Sequence, residues 1–277
     1  MNAELIRVSP DWLELREPAD AAARAADLVP HLEAWRGAPG PWVVHDLACG
    51  SGSMGRWLAP RLSGPQHWVL HDRDPDLLEL AAAHPPEGAG ITTEVRRADI
   101  TRLRPEALAG ASLITASALL DLLTAEELGG LIEALHRVGC PVLLTLSVTG
   151  RVELTPSEPL DTVLAAAFNA HQRRRTAGGR LLGPAAAAAA ATGFRRLGAR
   201  VVVRPSPWRL GAGDAALVAE WLAGWVGAAR EQRPGLARDA EGYARRRLGQ
   251  ALSGSLGVCV HHADLLVLPR IRRGDAP

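Results

Sequence analysis

Two rhythms of apolar residues run along this chain. Short apolar runs, closed by polar or small residues, fall at 42–47, 67–71, 91–97, 111–116 and 140–148. Among them lie stretches with apolar residues three and four apart, at 53–62, 75–83 and 124–137. The first rhythm predicts strands and the second amphipathic helices. Their alternation predicts an α/β fold, a doubly wound and mostly parallel sheet with helices on both faces. Pro141 fits at the beginning of the fifth strand, where a missing backbone donor is tolerated.

A helical stretch at 18–35 precedes the first strand, opened by Pro18 and closed by a turn at 37–41. Past Gly150 the pattern loosens into a loop at 155–159 and a helix at 160–175 with Val163, Leu164, Ala167 and Phe168 on its apolar side. A turn at 176–179 and an alanine-rich helix opened by Pro184 follow. The runs at 201–203 and 257–268 predict a sixth and a seventh strand, and between them two long helical stretches, 214–230 and 236–252, form an insert. Trp221 and Trp225 lie four apart on one face of that insert, a spacing that predicts core packing. An insert at this level can also roof a pocket. The expected organisation is an N-terminal helical extension, 1–40, and one domain, 41–277, with helical segments at about 155–183 and 211–254.

The most specific chemistry lies in Trp42-Val43-Val44-His45-Asp46-Leu47-Ala48-Cys49-Gly50-Ser51-Gly52. An apolar strand ends in an acid, breaks into small residues and restarts as a helix at Ser53, the arrangement from which nucleotide-like ligands are gripped. Gly50 and Gly52 let backbone N–H groups approach a ligand closely. The second strand ends at His71-Asp72, followed by Arg73-Asp74-Pro75, and a carboxylate at that tip can accept two hydrogen bonds from a ribose diol. The third leads into Ala98-Asp99-Ile100, where an acid can take the exocyclic amine of an adenine while the apolar neighbour covers the ring. A solvated loop can carry any one of these acids; three at successive strand ends are informative.

In these residues the chain resembles the class I methyltransferases that depend on S-adenosylmethionine. Their first motif, Asp-Leu-Gly-Cys-Gly-Thr-Gly, is matched by Asp46-Leu47-Ala48-Cys49-Gly50-Ser51-Gly52, with Ala48 for the first glycine and Ser51 for the threonine. The resemblance continues through Asp72, Asp99-Ile100 and the fourth strand to Ser117, and covers about 40–150. It implies a seven-stranded sheet in the order 3-2-1-4-5-7-6, S-adenosylmethionine as cofactor, and displacement at the sulfonium methyl. By the same resemblance, Ala48, Cys49, Gly50, Ser51 and Gly52 cradle the methionine part, and Asp46 orients its ammonium directly or through water. Asp72, with Arg73 beside it, holds the ribose; Asp99 and Ile100 frame the adenine; Ser117 contacts the cofactor or admits the acceptor. The stretch Gly50-Ser51-Gly52-Ser53-Met54-Gly55 also fits the dinucleotide fingerprint. Asp46, however, would repel a pyrophosphate and attract a methionine ammonium.

A net charge of +1 gives no global pull toward nucleic acid or an anionic membrane. The sequence has no lysine, so its 31 Lys and Arg positions are all arginine. The clusters at 173–175, 245–247 and 270–273 are accordingly expected as solvated faces, and mechanisms that need a Schiff-base or phosphate-loop lysine are excluded. No apolar run has the length a bilayer needs and the first ten residues lack a signal-peptide core, which predicts a cytoplasmic location. Cys49, Cys140 and Cys259 show no paired spacing for zinc or a disulfide framework, and no metal is expected.

On the acceptor side, Asn169 and His171 follow the fifth strand and are candidates for binding the acceptor; His171 can deprotonate a hydroxyl or an amine. Two apart on a helix, they diverge by about 200°, so only one can point straight into a pocket. His261 and His262 alternate across their strand, which speaks against joint ligation. The Asn/Asp-Pro-Pro-Tyr motif used in this family on exocyclic base amines and glutamine amides is replaced by Ser117-Ala118-Leu119-Leu120-Asp121. The expected partner is a small-molecule acceptor. The alternatives are rRNA or tRNA methylation, for which a basic auxiliary domain would be expected, and a cofactor-binding regulatory protein without catalysis.

Overall fold

The computed structural model describes residues 8–36 and 40–269. The residues at 1–7, part of the turn expected at 37–41 and the arginine cluster at 270–273 therefore lie outside the described residues. The chain begins with α1 (Pro10–Ala23) and α2 (Val29–Trp35). Next come β1 (Trp42–Leu47), α3 (Ser53–Leu58), β2 (Gln66–Asp72), α4 (Pro75–Ala83), β3 (Ile91–Arg97), β4 (Leu113–Ser117), α5 (Ala125–Val138) and β5 (Val142–Thr155). The second half holds α6 (Pro159–Gln172), a two-strand hairpin of β6 (Arg175–Thr176) and β7 (Gly179–Arg180), α7 (Ala186–Arg196), β8 (Arg200–Pro205) and β9 (Trp208–Leu210). It ends with α8 (Ala215–Gln232), α9 (Ala237–Leu252) and β10 (Gly257–Leu268).

The sheet runs β3-β2-β1-β4-β5-β10-β8, with β9 paired to the opposite end of β10. Strands β1 to β5 are parallel to their neighbours, while β10 is antiparallel to β5 and β8. The order is the expected one, β8 and β10 being the sixth and seventh strands, and β9 is an addition. Alternate residues of a strand buried on both faces feed two different cores. Thus Leu265 and Val267 pack with α5 and α7, whereas Leu266 and Leu268 pack with α2, α3 and α4. A third core, built from Trp208, Trp221, Trp225 and Tyr243, joins α6, α8 and α9 to the outer parts of β5 and β10. Trp221 and Trp225 stack there at 5.2 Å, as their spacing predicts.

Three expectations need correction. The first helix begins at Pro10 and contains Pro18, and it stops at Arg24 instead of running on to Trp35. It stops because the Ala25 N–H donates to the Asp264 side chain at 2.8 Å, which takes the chain out of helical geometry. The fifth strand runs on to Thr155, past the expected end at 148, because β10 pairs with its outer half through two register shifts. Arg247 is not on a solvated face. It is fully buried, paired with Asp161 at 2.6 and 2.8 Å and donating to the Pro156 carbonyl, which pins α9 to α6.

The buried Asp264 carboxylate also accepts from the Leu146 N–H at 2.7 Å and from Ser206 Oγ at 2.5 Å, so one side chain joins the N-terminal segment, β5 and the β8–β9 corner. Asp264→Ala leaves the buried Leu146 N–H and the half-buried Ala25 N–H without partners. Urea denaturation is expected to show a loss of about 2–4 kcal/mol.

Candidate functional site

A cavity of about 860 Å³ opens over the carboxyl edge of the sheet. It lies where the sheet order reverses around β1, the position at which open α/β sheets bind ligands. The backbone is strained at this edge. Ala48, Ala118 and Leu146, with φ of 51°, 51° and 55°, are the described non-glycine residues with positive φ, and all three line the cavity. They follow or interrupt β1, β4 and β5, which are neighbours in the sheet. Such strain concentrates at functional sites.

After β1, Ala48, Gly50 (φ 55°) and Gly52 (φ 85°) bend the chain into a loop, and Gly52 caps α3 in the left-handed conformation. Asp72 fixes that loop. Its Oδ2 accepts the Gly50 N–H at 2.9 Å and its Oδ1 accepts the Asp74 N–H at 2.9 Å. A side chain at Gly50 would meet Leu13 of α1 at 3.3 Å, so the N-terminal helix lies across the loop. Arg56 of α3 ties to Glu17 of α1 at 2.6 Å and fastens that cover.

Ala48, Gly50, Asp72, Arg73, Asp99, Ile100 and Ser117 line the cavity together. Asp99 uses Oδ1 to accept from the Thr101 N–H and hydroxyl, at 3.0 and 2.7 Å. Cys49, Ser51, Gly52 and Asp46 do not line it. Cys49 packs into the core beneath the loop, where burial pushes its thiol up, and the Ser51 carbonyl accepts from Arg56. Asp46 is 1% exposed; Thr115 Oγ1 donates to its Oδ1 at 2.6 Å, while its Oδ2 has no partner among the described residues. Burial pushes its carboxyl up to about 7, against the pull of Thr115 and Arg24.

Arg24 was not singled out from the sequence. It ends α1, is 4% exposed, and donates from Nη2 to Ser53 Oγ at 3.1 Å and to Ser117 Oγ at 3.2 Å. Its Nε and Nη1 have no partner among the described residues, and desolvation lowers its pKa. A readable signal existed: Trp12, Arg16, Asp20 and Arg24 recur every four residues and share one helix face. A helix that begins at Pro18 contains only half of that stripe.

The acceptor candidates fare differently. Asn169 borders the cavity but spends its Nδ2 on the Gly150 carbonyl at 2.7 Å, which holds the bend of β5. His171 does not border it. Its Nε2 lies 3.0 Å from Glu231 of α8, since the α6 face that carries it packs against that helix. Arg174, expected in solvent, lines the cavity. On the outer face of β10, the register sets Glu153 opposite Cys259, and His261 lies 3.5 Å from the thiol and 3.7 Å from the carboxylate, which Arg151 already holds. Sequence spacing alone does not disclose this cross-strand grouping. None of the described helices is long and apolar enough to cross a membrane.

Residues 44–141 match the family described as "Methyltransferase domain". No curated protein matches the chain. Solved structures similar to most of it include a cyclopropane synthase from Mycobacterium tuberculosis, at 13% identity over 94% of each chain with a TM-score of 0.49. The YcgJ protein of Bacillus subtilis shares 13% over 88% of this chain and 98% of its own, with a TM-score of 0.49. A methyltransferase from Geobacter sulfurreducens, solved with S-adenosylhomocysteine, shares 16% over 95% of this chain and 99% of its own, with a TM-score of 0.44.

The strain at Ala48 is open to direct measurement. Ala48→Gly, in contrast to the usual cost of removing a methyl group, is expected to raise stability by about 0.5–1 kcal/mol in urea denaturation.

Proposed function

We propose that this chain, which carries a methyltransferase domain over residues 44–141, transfers the methyl group of S-adenosylmethionine to a small molecule bound in the same cavity. The observation that carries this reading is the pair of buried, incompletely partnered charges of opposite sign beside the glycine loop, Arg24 and Asp46. Neither side chain lines the cavity itself; a zwitterionic amino-acid end there answers both across the loop, its carboxylate oriented by Arg24 through Ser117, which does line the cavity, and its ammonium attracted by the Asp46 charge at a distance or through water. A pyrophosphate would answer Arg24 alone and meet Asp46 with like charge.

The rest of the cavity fits the same ligand. Asp72 accepts one N–H on each oxygen and keeps further lone pairs for a ribose diol. The second oxygen of Asp99 lies 3.9 Å from the exposed Arg102 Nε, beyond hydrogen-bond reach, and can accept from an adenine amine, while Ile100 offers apolar cover. The bound cofactor supplies a methyl group on a positively charged sulfur leaving group. The chain therefore has to bind, orient and exclude water, which suits a cavity covered by α1. Its volume has room for a second molecule of modest size, which supports a small acceptor.

Calorimetry with S-adenosylhomocysteine tests the reading. Asp72→Ala is expected to weaken binding by about 1–3 kcal/mol. Arg24→Met is expected to weaken it about tenfold or more. Wild-type affinity in both variants would defeat the assignment. The pH profile is a separate check. The ligand's ammonium favours the Asp46 carboxylate and so lowers its pKa in the complex below the free value of about 7. Affinity is therefore expected to be flat just above pH 7 and to fall as the pH drops below it; Asp46→Asn should flatten the profile.

A further inference from the structure

We propose that the acceptor is an aromatic compound methylated on a ring hydroxyl, and that the Asp121 carboxylate takes the hydroxyl proton. This rests on the methyltransferase reading and goes beyond it, since the cofactor residues say nothing of the acceptor.

The assignment starts at the exit of β4. Ala118, with φ of 51°, turns the chain back, and its N–H donates to the Thr145 carbonyl at 2.9 Å. The 3-10 turn Leu120–Leu122 follows, anchored by the buried Leu120 and Leu123, and Asp121 between them faces the cavity. Its carboxylate borders the ligand space, and the hydrogen bond that acts on it comes from its own backbone N–H. Burial raises its carboxyl to about 6, while the charges of Arg16 and Arg174 pull the other way. A base of that strength is ionised at neutral pH and better matched to a weakly acidic hydroxyl than an ordinary carboxylate.

The surroundings select the class of acceptor. Trp12, Phe168, Trp208 and Trp221 border the cavity, which suits a flat ring. The Arg16 guanidinium is clamped by Asp20 at 2.9 and 3.1 Å, and lies 5.8 Å from the Trp12 ring and 5.1 Å from the Trp208 ring. Arg174, whose Nη1 reaches the His171 carbonyl at 3.3 Å, enters from the end of α6. Two guanidinium groups disfavour a cationic amine, which must also lose a proton before it can react. They favour an oxygen on which negative charge develops. His262, packed on Trp208 at 5.4 Å, is not a rival base, because burial lowers its pKa to about 3.

The step balances. The oxygen–methyl bond forms as the carbon–sulfur bond breaks with its electron pair left on sulfur, and the hydroxyl proton ends on Asp121. A hydroxyl, a sulfonium and a carboxylate become an ether, a thioether and a carboxylic acid.

The test uses the full chain with S-adenosylhomocysteine and two probes, 4-nitrophenol and the matched ring without the hydroxyl, nitrobenzene. Calorimetry is expected to give 4-nitrophenol an affinity at least about tenfold above nitrobenzene in the wild type, and no such preference in Asp121→Leu. That variant is expected to bind S-adenosylhomocysteine within about threefold of wild type, which also reports that it folds. Carbon-13 spectra of labelled aspartate are expected to show a carboxyl titrating near pH 6 that Asp121→Asn removes. Absence of 4-nitrophenol binding, equal binding of the two rings, or a preference that survives in Asp121→Leu overturns the proposal. Failure of the wild type to bind S-adenosylhomocysteine overturns the methyltransferase reading itself.

Discussion

The carboxylate of Asp264 is the point on which the cavity depends. Buried in the last strand, it receives the N–H groups of Ala25 and Leu146 and the hydroxyl of Ser206. Each bond has a consequence at the site. The bond to Ala25 ends α1 one residue earlier, so that Arg24 is carried inward to Ser53 and Ser117. The bond to Leu146 holds that residue at positive φ, where β5 passes the end of β4 and continues as a wall of the cavity. The bond to Ser206 fixes the corner before Trp208, which forms another part of the wall. Burying a carboxylate is costly, and burial does raise the Asp264 pKa. Three donors offset that cost and convert it into the mutual position of three distant segments.

The same logic governs the other buried charges. Asp20 holds Arg16 and accepts from the Trp208 indole at 2.9 Å, and Asp161 holds Arg247 and accepts from the Tyr243 hydroxyl at 2.6 Å. These acids have their donors in the protein. Arg24 and Asp46 stand apart because the buried atoms they leave without a hydrogen bond have no opposite charge within ion-pair distance among the described residues, whereas the unbonded Nε of Arg247 lies 3.6 Å from Glu158. Buried polar groups are normally satisfied, so such an exception asks for a ligand. Two exceptions of opposite sign, both against the loop after β1, ask for one that carries both charges.

Much of this was legible in the sequence, and the part that was not has a physical cause. Strand β3 and helix α4 fall on their expected residues because their patterns are local: a run of β-branched residues, and a proline after the Asp74 cap. The acids Asp72 and Asp99 were readable because a strand end is readable. Arg24 and Asp121 were not, since their burial comes from contacts between segments far apart in the chain. The Arg24 side chain reaches Ser117 across 93 positions, and the Ala25 bond that turns it inward reaches across 239. His171 illustrates the converse. Its position after β5 suggested the site, but an element's place in the topology does not say which face it shows the cavity, and α8 settled that through Glu231.

Strain offers the last link between fold and chemistry. Three adjacent strands of the sheet, β1, β4 and β5, each pass through a left-handed residue at the same edge, and none of the three is glycine. An α-helical exit would have continued over the strand ends and filled the space with its first turn. Positive φ instead turns the chain aside after β1 and β4 and bends β5 within the strand, which leaves the edge open, lined by Gly50, Ser117 and Val148. A left-handed alanine or leucine costs about 1–2 kcal/mol, so the crevice is held open by the packing around it. The methyl group at Ala48 and the side chain at Leu146 then give something glycine cannot: apolar surface lining the cavity itself. On this view the departure from the usual glycine at position 48 belongs to the shape of the pocket, and the neighbouring strands follow the same device.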